Sequence, residues 1–583
     1  MNMQPNLPDA FIIGYERLVA WSDVLDQINV FPIADGDTGR NLMISLASLR
    51  NLCGRKASDV SRQLLFSAKG NSGNIAAQFL VELLKAESFD GISRSARSGA
   101  ASARKAVADP RDGTMLTVLD QFSRHMAGNE NWENPEAFVE TVIDRMQASV
   151  CDSPEHLPEL KSAGVVDAGG LGMFIFLEGF LRGLCHLDSR FRPIQDIFRE
   201  SLRIAPSFDS ETENGYCIDF VVRLEEGAQN PEAVISNRDG SVQVHTFQDY
   251  AKIHVHAESS AEVRQRAESM GRLIRWSEDD LGKQTSEFNR LQDHRPLHIV
   301  TDAAGSITRE MARHLGITLL ESYVTVDETC LPETCMPPED LYRSMRNGSR
   351  ASTSQASVFE RHQHYMRLLN QYPNVLYLCV GSVYTGNCQV ALDWNREQSP
   401  ERGMHIIDTG AASGRLAVIV IATARYAAKE TDPNRVLAFA QDAVARSREF
   451  IFLDELKYLA AGGRMSKTGA FFGDMLHMKP VIRPTAEGAQ KVGIVRNADA
   501  QIRFAADSLK KDLAETPEAL ILLEYSDNRD WVEANVRPEL KRLFPLADIL
   551  LQPLSLTSGV HIGPGAWAVA YMIGNQERKD LNA

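Results

Sequence analysis

The segment from Asn29 to Asn41, NVFPIADGDTGRN, places two carboxylates, Asp35 and Asp37, on either side of one glycine and just before a predicted helix. Closely spaced carboxylates supply the oxygen ligands that Mg²⁺ prefers, and the phosphates of a nucleotide complete the shell of the metal. The same run also suits an ordinary turn that caps a helix, so both interpretations stay open for this segment alone.

Two further segments combine glycine with small polar residues at predicted helix starts. They are KGNSGN at residues 69–74 and AGVVDAGGLG at residues 163–172. Backbone N–H groups at a helix N-terminus attract anions such as phosphate, and glycine lets the backbone approach a ligand closely. A plain turn between two helices is the alternative for the first segment. Gly113-Thr114 adds another helix start, with a hydroxyl group.

Two histidines in a predicted strand could share a metal ion with a cysteine. Within Lys252–His256, His254 and His256 lie on one face because the side chains of a strand alternate. Cys217 lies in another predicted strand, and the three side chains would form a Cys-His-His zinc site with an open fourth position. On spacing alone, the favoured interpretation is a pair of edge-strand histidines beside an inert buried cysteine.

Four segments near the C-terminus combine hydroxyls, glycine, one arginine and one histidine. They are STSQ at 352–355, GSVYTG at 381–386, AGGR at 461–464 and HIGPG at 561–565. Hydroxyl groups and cationic side chains are what a buried carboxylate or acyl phosphate requires around its charged end. Taken singly, each segment is better explained as a helix cap, a loop arginine or a turn histidine.

The elements that must position these residues change type along the chain. Apolar residues recur at helical spacing from about Ala10 to Leu187, which predicts an all-helical domain. Short strands are then predicted at Cys217–Leu224, Ser241–Thr246 and Lys252–His256, followed by a helix at Ala261–Gly271. These elements make a small α+β module.

The last part of the chain alternates compact apolar strands with amphipathic segments, which predicts an α/β domain with a mainly parallel sheet. The predicted strands are His298–Thr301, Val375–Val380, His405–Ile407 and Leu520–Glu524. The predicted domains therefore span residues 8–200, 205–287 and 297–577, with a polar linker at 288–296.

Composition sets outer limits on the function. The length of 583 residues predicts three or four domains, and a hydrophobic content of 44% allows each to bury a core. The net charge of -15 argues against general nucleic-acid binding, which needs a positive surface. The eight cysteines lack disulfide or zinc-ribbon spacing, and neither a signal peptide nor a membrane-spanning segment is recognised. A soluble cytoplasmic protein is expected.

Taken together and in their order along the chain, the segments at residues 29–41, 69–74 and 163–172 resemble the nucleotide-binding L-type domain of the dihydroxyacetone kinase superfamily. The resemblance is closest to the fatty acid kinase branch of that superfamily. That branch shares Asn-Val-Phe-Pro, Asp-Gly-Asp-Thr-Gly, Gly-Asn-Ser-Gly and Val-Val-Asp-x-Gly-Gly with the region from about Ala10 to Leu187. The resemblance implies a helical barrel that binds ATP and Mg²⁺, with Asp35 and Asp37 as the magnesium ligands that act in catalysis. The residues that would bind the nucleotide are Asn29, Thr38, Asn41, Ser72, Gly73, Thr114, Asp167 and Gly169.

The region around Tyr216-Cys217 and the strand with His254 and His256 resembles the middle domain of fatty acid kinases, where these positions form a metal site. The resemblance shifts the balance towards Zn²⁺ binding by Cys217, His254 and His256. It also implies that the final domain usual in that family is absent and that another domain takes its place.

From Leu297 to Asn575 the chain resembles the DegV family, the fatty-acid-binding partners of fatty acid kinase. The resemblance implies a two-lobed α/β domain. The carboxylate would be held by Thr353 and Thr385 with Ser354 and Ser382 beside them, and the transferred phosphate would face Arg464 and His561. The chain departs from the family pattern at Ala303, which replaces a serine, and at the bulkier Val383 and Tyr384, which put the shape of the pocket in question.

Together the resemblances imply ATP-dependent phosphorylation of a bound long-chain fatty acid to an acyl phosphate. A carboxylic acid is already ionised at neutral pH, so it can attack the γ-phosphate without a general base. A membrane-associated acyltransferase is the expected user of the product, and a homodimer is expected. The alternatives are a dihydroxyacetone-type small-molecule kinase, for which no ketone-capturing domain is recognised, and a non-catalytic lipid carrier regulated by nucleotide.

Overall fold

The computed structural model describes residues 6–107, 109–127, 134–187, 191–208, 215–225, 229–235, 242–288, 297–398, 403–461, 479–516 and 518–574. The chain forms two compact units, Met1–Gln292 and Asp293–Ala583, each of which is described by itself.

The first unit begins with a helical domain, as the periodicity predicts. Its α-helices are α1 Leu7–Gln27, α2 Thr38–Leu46, α3 Ala57–Ser67, α4 Gly70–Leu83, α5 Phe89–Lys105, α6 Met115–Ala127, α7 Pro135–Cys151, α8 Ser153–His156, α9 Pro158–Ala163, α10 Ala168–Leu184 and α11 Ile194–Phe198. Two 3₁₀ segments, Ala47–Gly54 and Arg199–Leu202, follow α2 and α11. The three glycine-rich segments noted in the sequence lie at the starts of α2, α4 and α10.

The helices α1, α2, α4, α5, α6 and α10 pack against one another in a closed ring, with α7 against α6 and α10. Gly14 on α1 faces Gly179 on α10, where an added Cβ would lie 2.8 Å from the Gly14 Cα, so glycine is needed for this close approach. The buried Glu178 carboxylate accepts hydrogen bonds from Arg17 and Arg182, both at 3.1 Å, and Glu140 supplies a second carboxylate to Arg182 at 2.9 Å.

An antiparallel sheet follows in the first unit, with strand order β2-β3-β1-β4. Its strands are β1 Tyr216–Leu224, β2 Val242–Phe247, β3 Tyr250–Ala257 and β4 Gly271–Asp280, and the associated helices are α12 Pro231–Ile235, α13 Ser260–Met270 and α14 Leu281–Phe288. The α+β prediction is confirmed for β1, β2, β3 and α13. Strand β4 was not predicted, because its sequence, GRLIRWSEDD, is mostly polar.

The two faces of this sheet differ in chemistry. On one face, Ile218, Phe220 and Val222 pack in an apolar cluster with side chains of α13. On the other face, Cys217 and Asp219 of β1 lie opposite His256 and His254 of β3, respectively. Because paired residues of neighbouring strands point to the same side of a sheet, the cysteine, the aspartate and both histidines share the polar face.

The second unit contains thirteen strands and eleven α-helices in its described part. The strands are β5 His298–Asp302, β6 Thr318–Leu320, β7 Ser322–Val326, β8 Thr329–Pro332, β9 Ala351–Gln355, β10 Val375–Cys379, β11 His405–Asp408, β12 Ser447–Phe452, β13 Lys479–Thr485, β14 Gly488–Val495, β15 Leu520–Tyr525, β16 Asp548–Pro553 and β17 Trp567–Met572. The helices are α15 Arg309–Leu315, α16 Pro338–Arg346, α17 Val358–Gln371, α18 Asn387–Glu397, α19 Ser413–Ala427, α20 Pro433–Arg446, α21 Lys457–Ala461, α22 Ala498–Asp512, α23 Arg529–Trp531, α24 Arg537–Leu543 and α25 Leu556–Ile562. The 3₁₀ segments Ala303–Gly305 and Glu333–Cys335 and a π-helical turn at Val532–Val536 complete the described elements.

The prediction of a mainly parallel sheet is correct for only one of the three sheets in this unit. The sheet β11-β10-β5-β6 is wholly parallel, and β8-β7-β9 is antiparallel. The six-stranded sheet β14-β13-β12-β17-β15-β16 is antiparallel except for the β15–β16 pair. The prediction is wrong here because β13 and β14 form a hairpin and β17 inserts between β12 and β15, and apolar periodicity does not encode such pairings.

Helix α19 joins two of these sheets through one core. It contacts β5 of the parallel sheet and β12, β15 and β17 of the six-stranded sheet. Its apolar side chains cluster with Leu376 and Leu378 of β10 and with Leu522 of β15. None of the helices in the described parts of the chain combines the length and apolar character needed to cross a membrane.

Candidate functional site

The loop between α1 and α2 is organised by the buried side chain of Asn29. Its Oδ1 accepts hydrogen bonds from the backbone N–H groups of Asp37 at 3.2 Å and Thr38 at 2.9 Å, while its Nδ2 donates to two carbonyl groups of the loop. Gly36 adopts a φ of 63°, a left-handed conformation that favours glycine. Asp35 and Asp37 are therefore held at the N-terminus of α2, where backbone N–H groups attract phosphate.

The first turns of α2 and α4 meet through their side chains. The Thr38 Oγ1 and Ser72 Oγ atoms are 3.2 Å apart. The Asn41 side chain hydrogen-bonds to Asp37 and lies against Gly70, where an added Cβ would come within 2.3 Å of the Asn41 Nδ2. The structure thus brings Ser72 next to Thr38 and Asn41, although Ser72 is more than 30 residues away in the sequence.

The acidic pair lies in surroundings that disfavour negative charge. Burial, and then the neighbouring Asp37 carboxylate, raise the pKa of Asp35 well above its usual range. Burial also raises the pKa of Asp37, against the opposing effect of Arg40. A divalent cation would restore the ionised form of both groups, because an opposite charge favours a carboxylate. The buried Asn41 Oδ1 has no hydrogen-bond partner within the described part of the chain. These residues therefore fit a Mg²⁺ ion that also contacts phosphate.

Asp167 joins the starts of α6 and α10. Its carboxylate accepts a hydrogen bond from a backbone N–H in the first turn of α10 at 2.6 Å and another from the Met115 N–H of α6. Burial raises the pKa of Asp167 to about 6. Gly169 lies in the first turn of α10, where an added Cβ would be 3.2 Å from the Met115 Cε. The glycine therefore allows tight packing between the two helix starts.

Thr114 lies in the turn that precedes α6. Its hydroxyl donates to the carbonyl oxygen of Arg111 at 2.8 Å, so it is used within its own turn. The Arg111 guanidinium lies 6.0 Å from the centroid of the Phe31 ring, which places this turn beside the Asn29 loop. The helix starts that carry Thr114 and Asp167 therefore border the acidic loop on one side.

Cys217, His254 and His256 form a compact cluster on the polar face of the four-stranded sheet. Their ligand atoms all lie within 4.8 Å of one another. The His254 Nδ1 is 3.3 Å from the Asp219 carboxylate, and its buried Nε2 has no hydrogen-bond partner among the described residues. Burial lowers the pKa of His256 to about 4, so this imidazole is neutral near pH 7 and can donate a lone pair. Two imidazoles, one of them with an orphaned buried nitrogen, and one thiol fit a Zn²⁺ ion with one open position.

The second unit contains a cavity of about 150 Å³ between the hydroxyl-rich strand β9 and the apolar side chains of β12 and β13. Four of the predicted lipid-site residues, Thr353, Ser354, Thr385 and His561, line it. Apolar lining is supplied by Ala304, Val380, Ile451, Leu459, Ile482 and Ile562, among others. The wall therefore combines groups that suit an anionic end with groups that suit an alkyl chain.

The polar residues of this cavity contact one another. His561 Nε2 and Thr353 Oγ1 are 3.3 Å apart, and the Gln355 Nε2 donates to Thr385 Oγ1 at 2.7 Å. Ser382 does not line the cavity: its side chain is exposed, and its backbone N–H donates to the Asp408 carboxylate. Arg464 and most of the AGGR segment lie outside the described residues, so the predicted role of Arg464 stays a prediction.

Asp302, noted in the sequence only as part of a departure from the family pattern, is a buried hub of the second unit. Its carboxylate accepts hydrogen bonds from Tyr377 Oη at 2.9 Å, Asn387 Nδ2 at 2.8 Å and the Val380 N–H at 2.9 Å. The Asn387 N–H donates in turn to Thr385 Oγ1 at 3.2 Å. Asp302 therefore fixes both ends of the loop that carries Thr385. Its position directly after the predicted strand His298–Thr301 was the available signal.

Two family models match the chain. Residues 32–182 match the DAK2 domain, and residues 296–573 match a family described as "Uncharacterised protein, DegV family". Protein YloV of Bacillus subtilis is 29% identical over 349 residues, which is 54% of this chain and 63% of YloV. An uncharacterised protein of Staphylococcus haemolyticus is 28% identical over 307 residues, covering 48% of this chain and 56% of the relative. The chain thus matches less than two thirds of the length of these relatives.

Among solved structures, DegV of Bacillus subtilis, described as a fatty acid binding protein, aligns with a TM-score of 0.44 and 18% identity, covering 48% of this chain and 100% of that protein. A DegV family protein from Thermus thermophilus, whose description names fatty acid binding, aligns with a TM-score of 0.43 and 22% identity over 48% of this chain and 100% of its own. The two family matches follow one another along the chain without overlap. This chain therefore joins a DAK2 domain to a DegV-family domain.

Proposed function

We propose that this chain transfers the γ-phosphate of ATP to the carboxylate of a long-chain fatty acid, with the nucleotide held by the first unit and the acid by the second. The observation that carries the proposal is a cavity that sets Thr353, Thr385 and His561 among apolar side chains, in the same chain as the buried Asp35/Asp37 loop. The DAK2 and DegV matches support the same division of roles.

The reaction requires only that the protein position the two substrates and neutralise their negative charges. A fatty acid carboxylate has a reference pKa of roughly 4 to 5 and is ionised at neutral pH, so no general base is required. One carboxylate oxygen forms a bond to the γ-phosphorus while the bond from that phosphorus to the β,γ-bridging oxygen breaks, and ADP leaves with the electron pair. The products are an acyl phosphate and ADP.

The first unit supplies the nucleotide site. Asp35 and Asp37 hold Mg²⁺, which when bound neutralises charge on the β- and γ-phosphates. Asn29 keeps the two carboxylates in place through its bonds to the backbone of the loop. Phosphate contacts come from Thr38, Asn41, Ser72 and Gly73, and the nucleotide pocket is completed by Thr114, Asp167 and Gly169.

The second unit supplies the acid site. Thr353 and Thr385 hold the carboxylate, with Ser354 beside them, because these hydroxyls line the cavity together with apolar side chains. Ser382 lies three residues before Thr385 and is exposed outside the cavity lining, so its part in holding the acid is limited to the loop that carries Thr385. Arg464 and His561 face the transferred phosphate, where positive charge or N–H donors stabilise the developing acyl phosphate.

The direct test measures ADP formation and lipid binding separately. Asp37→Ala should abolish fatty-acid-dependent ADP formation and leave fatty acid binding within about twofold of the wild type, because the substitution lies in the first unit. Asp59→Ala, at a half-exposed side chain of α3, is the matched control and should leave both unchanged. ADP formation with dihydroxyacetone instead of a fatty acid would indicate a small-molecule kinase. Nucleotide and lipid binding without turnover would indicate a carrier.

The oligomeric arrangement and the use of the product also belong to the proposal. We expect a homodimer in the cytoplasm that passes its acyl phosphate to a membrane-associated acyltransferase of phospholipid synthesis. Mixing an Asp37→Ala chain with a Thr385→Ala chain distinguishes two routes of transfer. Recovery of activity in the mixture indicates transfer between chains, and no recovery indicates transfer within one chain.

A further inference from the structure

The polar face of the four-stranded sheet contacts both loops of the proposed nucleotide site. Asp279 of β4, which pairs with Cys217 across the sheet, accepts from Arg40 at 3.2 Å and from Lys69 at 2.7 Å. Arg40 follows the acidic loop, and Lys69 is the first residue of the KGNSGN segment. Gln284 of α14 donates to the Asp37 carboxylate at 3.4 Å. The sheet therefore holds the two loops from one side.

Asp219 makes the most direct of these connections. It is buried, and its Oδ2 accepts a hydrogen bond from the Gly70 N–H at 2.8 Å and lies 3.3 Å from His254 Nδ1. Its Oδ1 accepts from Lys252 Nζ at 2.8 Å and from Asn74 Nδ2 at 3.2 Å. One carboxylate thus bonds the first turn of α4 and a histidine of the Cys217/His254/His256 cluster.

These contacts connect the proposed metal site at His254 to the proposed phosphate-binding first turn of α4 at Gly70 through the single carboxylate of Asp219. A metal ion on His254 Nε2 requires the proton of the imidazole to be on Nδ1, because a ligating nitrogen must offer its lone pair. Nδ1–H then donates to Asp219, and Asp219 remains directed at the Gly70 N–H. Gly70 has a φ of 62°, so the backbone direction of the loop that carries Ser72 and Gly73 is set at this residue. Without the metal, the tautomer with its proton on Nε2 is also open to this imidazole, and that tautomer has no Nδ1–H to donate to Asp219.

We infer that Asp219 is a positioning residue through which metal binding at Cys217, His254 and His256 strengthens nucleotide binding at the Gly70–Gly73 loop, and through which nucleotide strengthens metal binding. This inference rests on the proposed nucleotide site. Coupling between two sites is reciprocal, so the factor by which metal tightens nucleotide binding must equal the factor by which nucleotide tightens metal binding. We expect a factor of about 5 to 100, the usual range for such coupling.

The test uses the full chain, stripped of metal with a chelator and supplied with a fixed excess of Mg²⁺. A fluorescent ADP analogue is titrated with and without one equivalent of Zn²⁺, and Zn²⁺ affinity is measured by competition with a chromogenic chelator with and without Mg·ADP. The expected result is tighter binding of each in the presence of the other, by equal factors. Asp219→Asn should remove the coupling while each ligand still binds alone. Asp249→Asn, in the turn between β2 and β3 at a side chain that pairs with Arg223, is the control and should keep the coupling.

The outcomes separate failure of this inference from failure of the proposed function. If ADP binds with the same affinity with and without Zn²⁺, to within twofold, the coupling is refuted and the nucleotide site stands. Coupling of full size in a folded Asp219→Asn chain would also refute the role of Asp219. If the wild type binds no nucleotide under either condition, both the coupling and the proposed function are overturned. The wild-type titrations need no variant, so they decide the matter even where Asp219→Asn does not fold.

Discussion

Replacing Asn29 by alanine should weaken nucleotide binding strongly although Asn29 touches no carboxylate directly. The substitution removes the acceptor of two backbone N–H groups, those of Asp37 and Thr38, in a residue that is only 2% exposed. A buried donor left without a partner costs roughly 1–3 kcal/mol, so the loss of the acceptor for two donors should cost the loop about 2–6 kcal/mol of stability. If the binding energy of the nucleotide must offset about half of that cost when phosphate orders the loop, nucleotide affinity falls about 5- to 140-fold, at 1.4 kcal/mol per factor of ten.

Two measurements check this prediction. Mg·ADP affinity is measured by titration of a fluorescent analogue, and local stability is measured by hydrogen–deuterium exchange of the peptide spanning residues 29–41. Exchange should accelerate in that peptide and stay unchanged in the second unit. Asn434→Ala, at an exposed position in the first turn of α20, is the matched control and should change neither quantity. An Asn29→Ala chain that binds Mg·ADP within twofold of the wild type, with unchanged exchange, would refute the role given to Asn29.

Three other predictions follow from single sites. Gly73→Ala should destabilise the first unit by about 1–3 kcal/mol in urea unfolding and weaken nucleotide binding, because the added Cβ would lie 2.1 Å from Ser45 Oγ. The control is Gly54→Ala, whose added Cβ meets no atom within 4 Å and which should leave urea unfolding unchanged. Burial raises the pKa of Glu333 to about 7 from an ordinary 4.5, so the folded state holds a proton that the unfolded chain releases. Stability should therefore fall by up to about 3 kcal/mol as the pH rises from about 4.5 to 7, and Glu333→Gln should remove this part of the fall; equal slopes in both proteins would contradict the assignment. Cys217→Ser should lower the zinc content from one equivalent towards zero with little change in far-ultraviolet circular dichroism, and retention of a full equivalent would exclude Cys217 as a ligand.

Residue spacing was sufficient to predict the helical domain and seven of the seventeen strands in the described residues, because burial imposes a periodic pattern of apolar residues on the sequence. Ile218, Phe220 and Val222 recur at every second position and form one apolar face of a strand. Strand β4 escaped prediction because its burial comes from contacts with β1 and with the helical domain instead of from its own apolar residues. The pairing of β17 between β12 and β15 is likewise decided by tertiary packing.

The candidate site was only partly predictable for a related reason. Asp35, Asp37 and Ser72 lie in short segments that combine acidic, hydroxyl and glycine residues. Such segments predict a site that binds metal and phosphate. Asp219 and Asp279 have no such pattern, because their partners lie about 150 to 240 residues away in the chain. The position of Asp219 two residues after Cys217 on one strand was the available signal, since it places both on the same face.

The most direct test of the account is the identity of the phosphorylated product. Purified chain is incubated with Mg·ATP and a long-chain fatty acid in the presence of hydroxylamine, which converts an acyl phosphate to a stable hydroxamate. The account predicts fatty hydroxamate and ADP in equal amounts, both absent when the acid is omitted and both absent with Asp37→Ala. ADP formed at the same rate without the acid, or with no hydroxamate, would contradict phosphoryl transfer to a fatty acid carboxylate.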